Sequence, residues 1–184
     1  MGREISRQRL ASGKFLSLET ILWRDDQGRD GSWEVAVRTT PCPAALMITW
    51  LHPSERLVLV RQYRPPARGE VIEFPAGLMD EGETPGSAAL RELLEETGYH
   101  GQVTRILPAA YNTPGLSSER THLVLVEVDE TLPENREPVP RHEIGEEITV
   151  VLVEKGSLRE FLSKEEAVGT QFDSKVLSYL ATLL

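Results

Sequence analysis

The sequence has one cysteine, Cys42 in "TPCPA", among 184 residues. An internal disulfide is therefore excluded, and no second cysteine or histidine stands at metal-ligand spacing from it, which fits a reducing compartment. No apolar run approaches the roughly 20 residues that a membrane span needs. The first residues, "MGREISRQRLASGKF", lack the apolar centre of a secretion signal. A cytoplasmic protein without membrane contact is the expectation. Gly2 with Ser6 does satisfy the loose myristoylation pattern, which has meaning only in a cell that carries the transferase. Basic residues are scarce too: 20 Lys and Arg against 29 Asp and Glu give a formal charge of -9. That balance argues against a sequence-independent grip on nucleic acid. Repeats and low-complexity tracts are missing as well. What remains, 40% apolar and 27% charged residues, is an ordinary globular composition, long enough for one cored domain with an appendage.

Two apolar, β-branched runs, "GKFLSLETILW" (13 to 23) and "SWEVAVRTT" (32 to 40), flank the polar connection "RDDQGRDG" and read as a β-hairpin. After "TPCPAA", the runs "ALMITWL" and "RLVLVRQYR" form a second strand-turn-strand unit. The break between the pairs places a small N-terminal β subdomain at residues 1–41 and the main domain at 42–184. "EVIEFPAG" is a further strand that Pro75 ends or confines to an edge. "VTRILP", "RTHLVLVEV" and "EITVVLV" read as strands, and "PAAYNTPGLSSE" and "TLPENREPVPRHEIGE" as long loops of the kind that often carry function. "SLREFLSKEEA" and "DSKVLSYLATLL" read as closing helices. The fold class is α/β with a mixed sheet.

The best-marked element is a helix from Pro85 to Thr97, with Thr84 to cap it, Pro85 at the first position and Gly98 for the left-handed residue past its end. At 100° per residue, Ala89, Leu90, Leu93 and Leu94 share one arc, and Arg91, Glu92, Glu95 and Glu96 the opposite one. Acidic helix faces are usually just solvated. Here the charges sit badly for that. Glu92 and Glu96 are a like-charge i,i+4 pair costing roughly 0.2–0.5 kcal/mol, and Glu95 and Glu96 occupy the last turn, where the helix dipole disfavours anions. A bound dication reverses the balance, and carboxylates beside a phosphorylated ligand are the usual setting for Mg²⁺.

Gly77, five residues, Glu83, seven residues, Arg91, Glu92, Leu93, one residue, Glu95, Glu96, one residue, Gly98 and then an apolar residue resembles the motif of the Nudix hydrolases. Seven fixed positions match by chance less than about once in a hundred million starts. Tyr99 departs from the usual aliphatic residue but can still pack. The resemblance implies an α/β/α sandwich with a mixed β-sheet, and a loop-helix-loop motif around Mg²⁺, with Mn²⁺ as an expected substitute. It makes Glu92, Glu95 and Glu96 the metal carboxylates, adds the carbonyl of Ala76, and assigns Glu83 and Arg91 to shaping the loop, alongside Gly77 and Gly98. Water then attacks a diphosphate attached to another group.

Outside the motif, "GKF", "SWEVAVRTT", "LVRQYRPP" and "VIEFPAGLMDEGE" resemble the branch that hydrolyses ADP-ribose and other nucleoside diphosphate sugars. In that branch the N-terminal strands are exchanged across a homodimer, and aromatics from two chains sandwich the base. Phe15 and Trp33 match those positions, with ordinary core aromatics as the alternative. Glu34 matches a candidate for the base edge. Arg38 and Arg64 match contacts to the diphosphate or terminal ribose, a task suited to a guanidinium fork, or else form surface ion pairs. Pro114, sixteen residues past Gly98, resembles the subgroup acting on ADP-ribose. The general base tends to lie on the loop before the last strand, where Glu146 aligns best, Glu147 is its rival, and Glu143 and His142 stand nearby.

The expected function is Mg²⁺-dependent hydrolysis of ADP-ribose, or a related nucleoside diphosphate sugar, to a nucleoside monophosphate and a sugar phosphate. A GDP-mannose or broad nucleotide-sugar hydrolase is the alternative among enzymes. A non-catalytic ADP-ribose sensor is the alternative of another class, disfavoured by the full set of Glu92, Glu95 and Glu96. A hydrolase of capped RNA fits poorly with an acidic chain lacking a basic stripe.

Overall fold

A computed structural model describes residues 1–40, 42–142 and 147–184. In chain order the strands are β1 (Arg3–Ser12), β2 (Leu16–Arg24), β3 (Asp30–Arg38), β4 (Ala44–His52), β5 (Arg56–Arg64), β6 (Gly69–Glu73), β7 (Ala76–Leu78), β8 (Gln102–Ile106), β9 (Ala110–Tyr111), β10 (Arg120–Asp129), β11 (Ile148–Glu154) and β12 (Gln171–Phe172). The helices are α1 (Pro85–Thr97), α2 (Pro133–Arg136), α3 (Leu158–Ala167) and α4 (Ser174–Leu180). They form two compact units: Met1–Ala44 with Ala109–His122, and Ala45–Pro108 with Leu123–Leu184.

The first unit is built on an antiparallel sheet in the order β1-β2-β3. The hairpin of β2 and β3 runs from Leu16 opposite Arg38 to Arg24 opposite Asp30, and closes through Gly28 at positive φ. The strand β1 was invisible to pattern reading because all ten of its residues are exposed. It contributes ladder hydrogen bonds and no core side chain, so no apolar alternation marks it. The long loop expected around residues 109–119 is part of this unit. The Ala36 amide donates to the Leu116 carbonyl at 2.9 Å, and Ala110 and Tyr111 pair with the start of β10.

The second unit carries most of a nine-stranded mixed sheet, with the path β12-β6-β5-β4-β10-β8, β11 paired to β5 and β7 to β4. β12 runs parallel to β6, whereas β5 is antiparallel to β4, β6 and β11. Period-two alternation sends the central strands' side chains to two cores. Ala45, Met47, Leu51, Val58, Val124, Val126 and Val128 join Ala88, Ala89 and Leu93 of α1 on one face. Leu46, Ile48, Leu57, Leu59 and Ile72 join Leu158, Val176 and Leu180, from α3 and α4, on the other. Helices on both faces of the sheet make the expected α/β/α sandwich. Tyr99, the residue that departs from the usual motif, is buried in the core beside α1.

Candidate active site

Helix α1 starts and stops where its sequence says. Thr84 accepts a hydrogen bond from the Ser87 amide at 3.1 Å, and the Ser87 hydroxyl accepts from the Thr84 amide at 2.9 Å, a capping box that satisfies two orphan donors. At the other end Gly98 has φ of 76°, and a Cβ there would lie 2.4 Å from the Val139 amide nitrogen. Two end carbonyls also find partners: the Arg141 amide donates to Glu95 at 2.7 Å, and the His142 Nε2 lies 3.1 Å from the carbonyl of Glu96. The chain past Val139 is thereby tied to the acidic end of the helix.

The helix does not turn all its carboxylates toward water, as the arc of Ala89, Leu90, Leu93 and Leu94 suggested. Its buried residues are Ala88, Ala89, Leu93, Glu96 and Thr97, while Leu90 and Leu94 are half-buried. The buried arc is rotated because β7 packs beside the glutamates. Glu96 is only 6% exposed and accepts from the Ala76 amide at 3.1 Å. Gly77 explains the closeness of approach, since a Cβ on it would stand 2.0 Å from the Glu92 carboxyl carbon. The glycine is demanded here by contact rather than by backbone conformation.

Arg91 organises the rest. Its Nε and Nη2 each reach Glu83 at 2.9 Å, and Nη2 also reaches the Leu78 carbonyl at 3.0 Å. Its Nη1 donates to Glu92 at 2.7 Å and Glu95 at 3.0 Å. Glu83 is held down to a pKa of about 2, first by the Arg91 hydrogen bond and then by the Asp80 amide. The Arg91 guanidinium is pushed further up by the same carboxylates. Glu83 and Arg91 thus close the loop of residues 77–83 onto the helix.

Among the described residues, no group of three or more His, Cys, Asp or Glu side chains is arranged so that it could hold a metal ion. The donor set nevertheless fits a hard dication. It consists of oxygens alone, and Arg91 Nη1 already places a positive group between Glu92 and Glu95. Mg²⁺ keeps several waters and takes few protein ligands, so an open arrangement of Glu92, Glu95 and Glu96 beside Ala76 suits it.

The other predicted residues fall as follows. Arg64, at the end of β5, gives Nε and Nη2 to Glu73 at 2.8 and 2.7 Å. In the first unit, Arg38 is paired with Glu119, and the Trp33 indole donates to the Gly115 carbonyl at 2.9 Å, next to Pro114. Glu34, on β3, is exposed. Phe15 and Trp33 are 67% and 52% exposed, which excludes the alternative of core aromatics. Glu147 is exposed immediately before β11, whereas Glu143 and Glu146 lie outside the described residues. Glu73, Glu119 and Asn112 were missed by sequence reasoning. Glu119 is 81 residues from the arginine it holds, and no local pattern encodes such a pair.

The NUDIX domain family matches residues 40–161. The chain is a Nudix hydrolase. It is 38% identical to an ADP-ribose pyrophosphatase of Saccharomyces cerevisiae over 171 residues, covering 89% of this chain and 74% of the yeast protein. It is 36% identical to an ADP-sugar pyrophosphatase of Mus musculus over 185 residues, covering 95% and 84%. An ADP-ribose pyrophosphatase of Bacillus subtilis is 31% identical over 73% of this chain and 71% of its own length. Nudix hydrolases generally need a divalent metal ion. Among the described residues, no helix is long and apolar enough to cross a membrane.

Proposed function

We propose that this Nudix hydrolase cleaves the diphosphate of ADP-ribose, or of a closely related nucleoside diphosphate sugar, to AMP and ribose 5-phosphate in a Mg²⁺-dependent reaction. The observation that carries it is the carboxylate set of Glu92, Glu95 and Glu96, packed against Ala76 and Gly77 and partly neutralised by Arg91. The names of the yeast, mouse and bacterial relatives support the substrate class.

Glu92, Glu95 and Glu96, with Ala76, are the residues that would hold the ion. Its chemical contribution when bound is to lower the pKa of water and neutralise charge on phosphoryl oxygens. Arg91 and Glu83 keep the carboxylates in register. Arg64 and Arg38 orient the diphosphate and terminal ribose, Glu34 reads the base edge, and Phe15 and Trp33 hold the base. Glu146, with Glu147 as rival, takes the proton of the attacking water as its oxygen bonds to phosphorus and the bridging oxygen departs.

The register of β2 and β3 supports a homodimer. Trp33 is opposite Ile21, whereas Phe15 precedes Leu16, which is opposite Arg38. Five or six residues of strand separate the two aromatics, about 17–20 Å at 3.3 Å per residue, too far to clasp one base from a single hairpin. A sandwich of these rings requires two chains. The lone Cys42 fits the cytoplasmic location expected above.

A panel of nucleotide sugars and nucleoside triphosphates, assayed with Mg²⁺ and analysed for products, tests the reading. ADP-ribose is expected to lead and to yield AMP. Cleavage of triphosphates with no turnover of any nucleotide sugar would overturn it, and preference for GDP-mannose would move the substrate to another base. Light scattering after gel filtration tests the dimer, with a monomer as the refuting result.

A further inference from the structure

In the first unit, one loop holds two of the residues assigned to substrate. The segment 112–119 runs along β3, with the Ala36 amide bonded to Leu116 and the Ser118 amide to Ala36. Its Gly115 carbonyl takes the Trp33 indole hydrogen, and its Glu119 takes Arg38. We propose that Glu119 is a positioning residue, which holds the Arg38 guanidinium so that its remaining edge is presented to the diphosphate or terminal ribose. The inference rests on Arg38 touching the substrate, as proposed above.

The geometry is specific. Glu119 Oε1 receives both Nε and Nη2 of Arg38, which leaves Nη1 without a bond to any described residue. Glu119 Oε2 is anchored in turn by the Asn112 side-chain amide at 2.8 Å. The backbone of Glu119 is fixed separately, its amide donating to the Ser117 hydroxyl at 3.1 Å and its carbonyl accepting from Asn112 at 3.3 Å. Truncating the side chain therefore leaves the bonds of the loop's backbone at Glu119 in place. Arg38 and Glu119 line a cavity of about 290 Å³ within this unit, together with Arg120 and His122, so the arginine borders space for a ligand group.

Two opposite effects are possible on removing Glu119. Loss of a carboxylate near an anionic substrate strengthens attraction, whereas loss of the brace frees a long side chain and dilutes its productive orientation. The sign of the KM change decides between them. For Glu119→Ala we expect KM for ADP-ribose to rise about tenfold with kcat within about twofold, as befits uniform loss of substrate binding. Glu119→Gln removes the charge but keeps an acceptor oxygen, and is expected to restore KM to near the wild-type value. Asn112→Ala, which loosens the anchor alone, should raise KM by less. In an Arg38→Ala background, Glu119→Ala should add nothing, because its effect passes through the arginine. Thermal unfolding, measured on each variant, checks that the fold is kept. A lowered or unchanged KM for Glu119→Ala, with Arg38→Ala impaired, would overturn the brace. So would additive effects in the double variant. If Arg38→Ala leaves KM unchanged, the assignment of Arg38 to substrate fails, and the inference fails with it.

Discussion

Substituting Gly77→Ala isolates the contact on which the carboxylate geometry depends. Gly77 is not at positive φ, so alanine is free of backbone strain there. The whole effect comes from one methyl group. Its carbon would lie 2.0 Å from the Glu92 carboxyl carbon and 2.0 Å from Oε1, while ordinary contact begins at 3.4 Å. The carboxylate must retreat by about 1.4 Å, and the 2.7 Å bond from Arg91 to Glu92 breaks or lengthens with it. Displacing a catalytic group by about 1 Å costs about a hundredfold in rate, or about 2.7 kcal/mol of transition-state stabilisation. Folding stability should barely change. The moving atoms are the end of a flexible side chain, and Gly→Ala stabilises by about 0.4–1 kcal/mol through the unfolded chain, offsetting much of the lost hydrogen bond. The assay is kcat/KM on ADP-ribose at saturating Mg²⁺, with urea denaturation in parallel. A variant within threefold of wild type would refute the claim that the glycine is there for Glu92. A variant that loses activity and stability together would refute its confinement to the carboxylate.

Other expected outcomes follow from the same geometry. Glu96→Gln should lose turnover by several orders of magnitude while keeping its thermal midpoint, because the amide oxygen still accepts from Ala76; undiminished turnover would remove Glu96 from the metal set. Gly98→Ala combines positive φ with a clash against the Val139 backbone, so it should cost at least about 1–2 kcal/mol and lower the midpoint by several degrees, read by calorimetry. Glu83 has a pKa lowered from 4.5 to about 2, so its pairing with Arg91 stabilises the fold fully above pH 4.5 and is lost as pH falls toward 2. Glu83→Gln should flatten that part of the stability-pH curve, and an unaltered curve would count against the pairing. Chelation of divalent ions should abolish activity and leave circular dichroism unchanged, since Arg91 already offsets the charges of Glu92 and Glu95.

The elements that were legible in the sequence are those whose side chains alternate or cap. Thr84, Pro85 and Gly98 fixed α1 to the residue because each acts within one turn of itself. The strands of the second unit declared themselves through apolar runs, since β4 and β5 are buried on both faces. β1 was missed because its ten residues bury nothing within the chain. At the candidate site, the motif singled out the glutamates, but the rotation of the helix was hidden. Counting hydrophobic residues places Glu96 outside, while the backbone of Ala76 draws it in. The brace at Glu119 was hidden for another reason: an ion pair between residues 81 apart leaves no local period to read.

An acidic protein that receives an anionic substrate faces unfavourable long-range electrostatics, and on the assignment proposed above Arg38 and Arg64 are where the difficulty is met. Three of the arginines named for the site share one arrangement, which Arg7 and Arg24 also make with Glu4 and Asp30. Arg91 gives Nε and Nη2 to Glu83, Arg64 gives the same two nitrogens to Glu73, and Arg38 gives them to Glu119. A guanidinium paired along one edge has lost much of its net charge at a distance but keeps a directed donor edge at close range. With Arg38 and Arg64 in the proposed role, discrimination would rest on geometry within hydrogen-bonding reach, where the planar fork matches phosphate oxygens, rather than on a positive field that attracts polyanions indiscriminately. Arg91 also engages its remaining nitrogen. It meets Glu92 and Glu95, which suits an arginine that shapes the carboxylates.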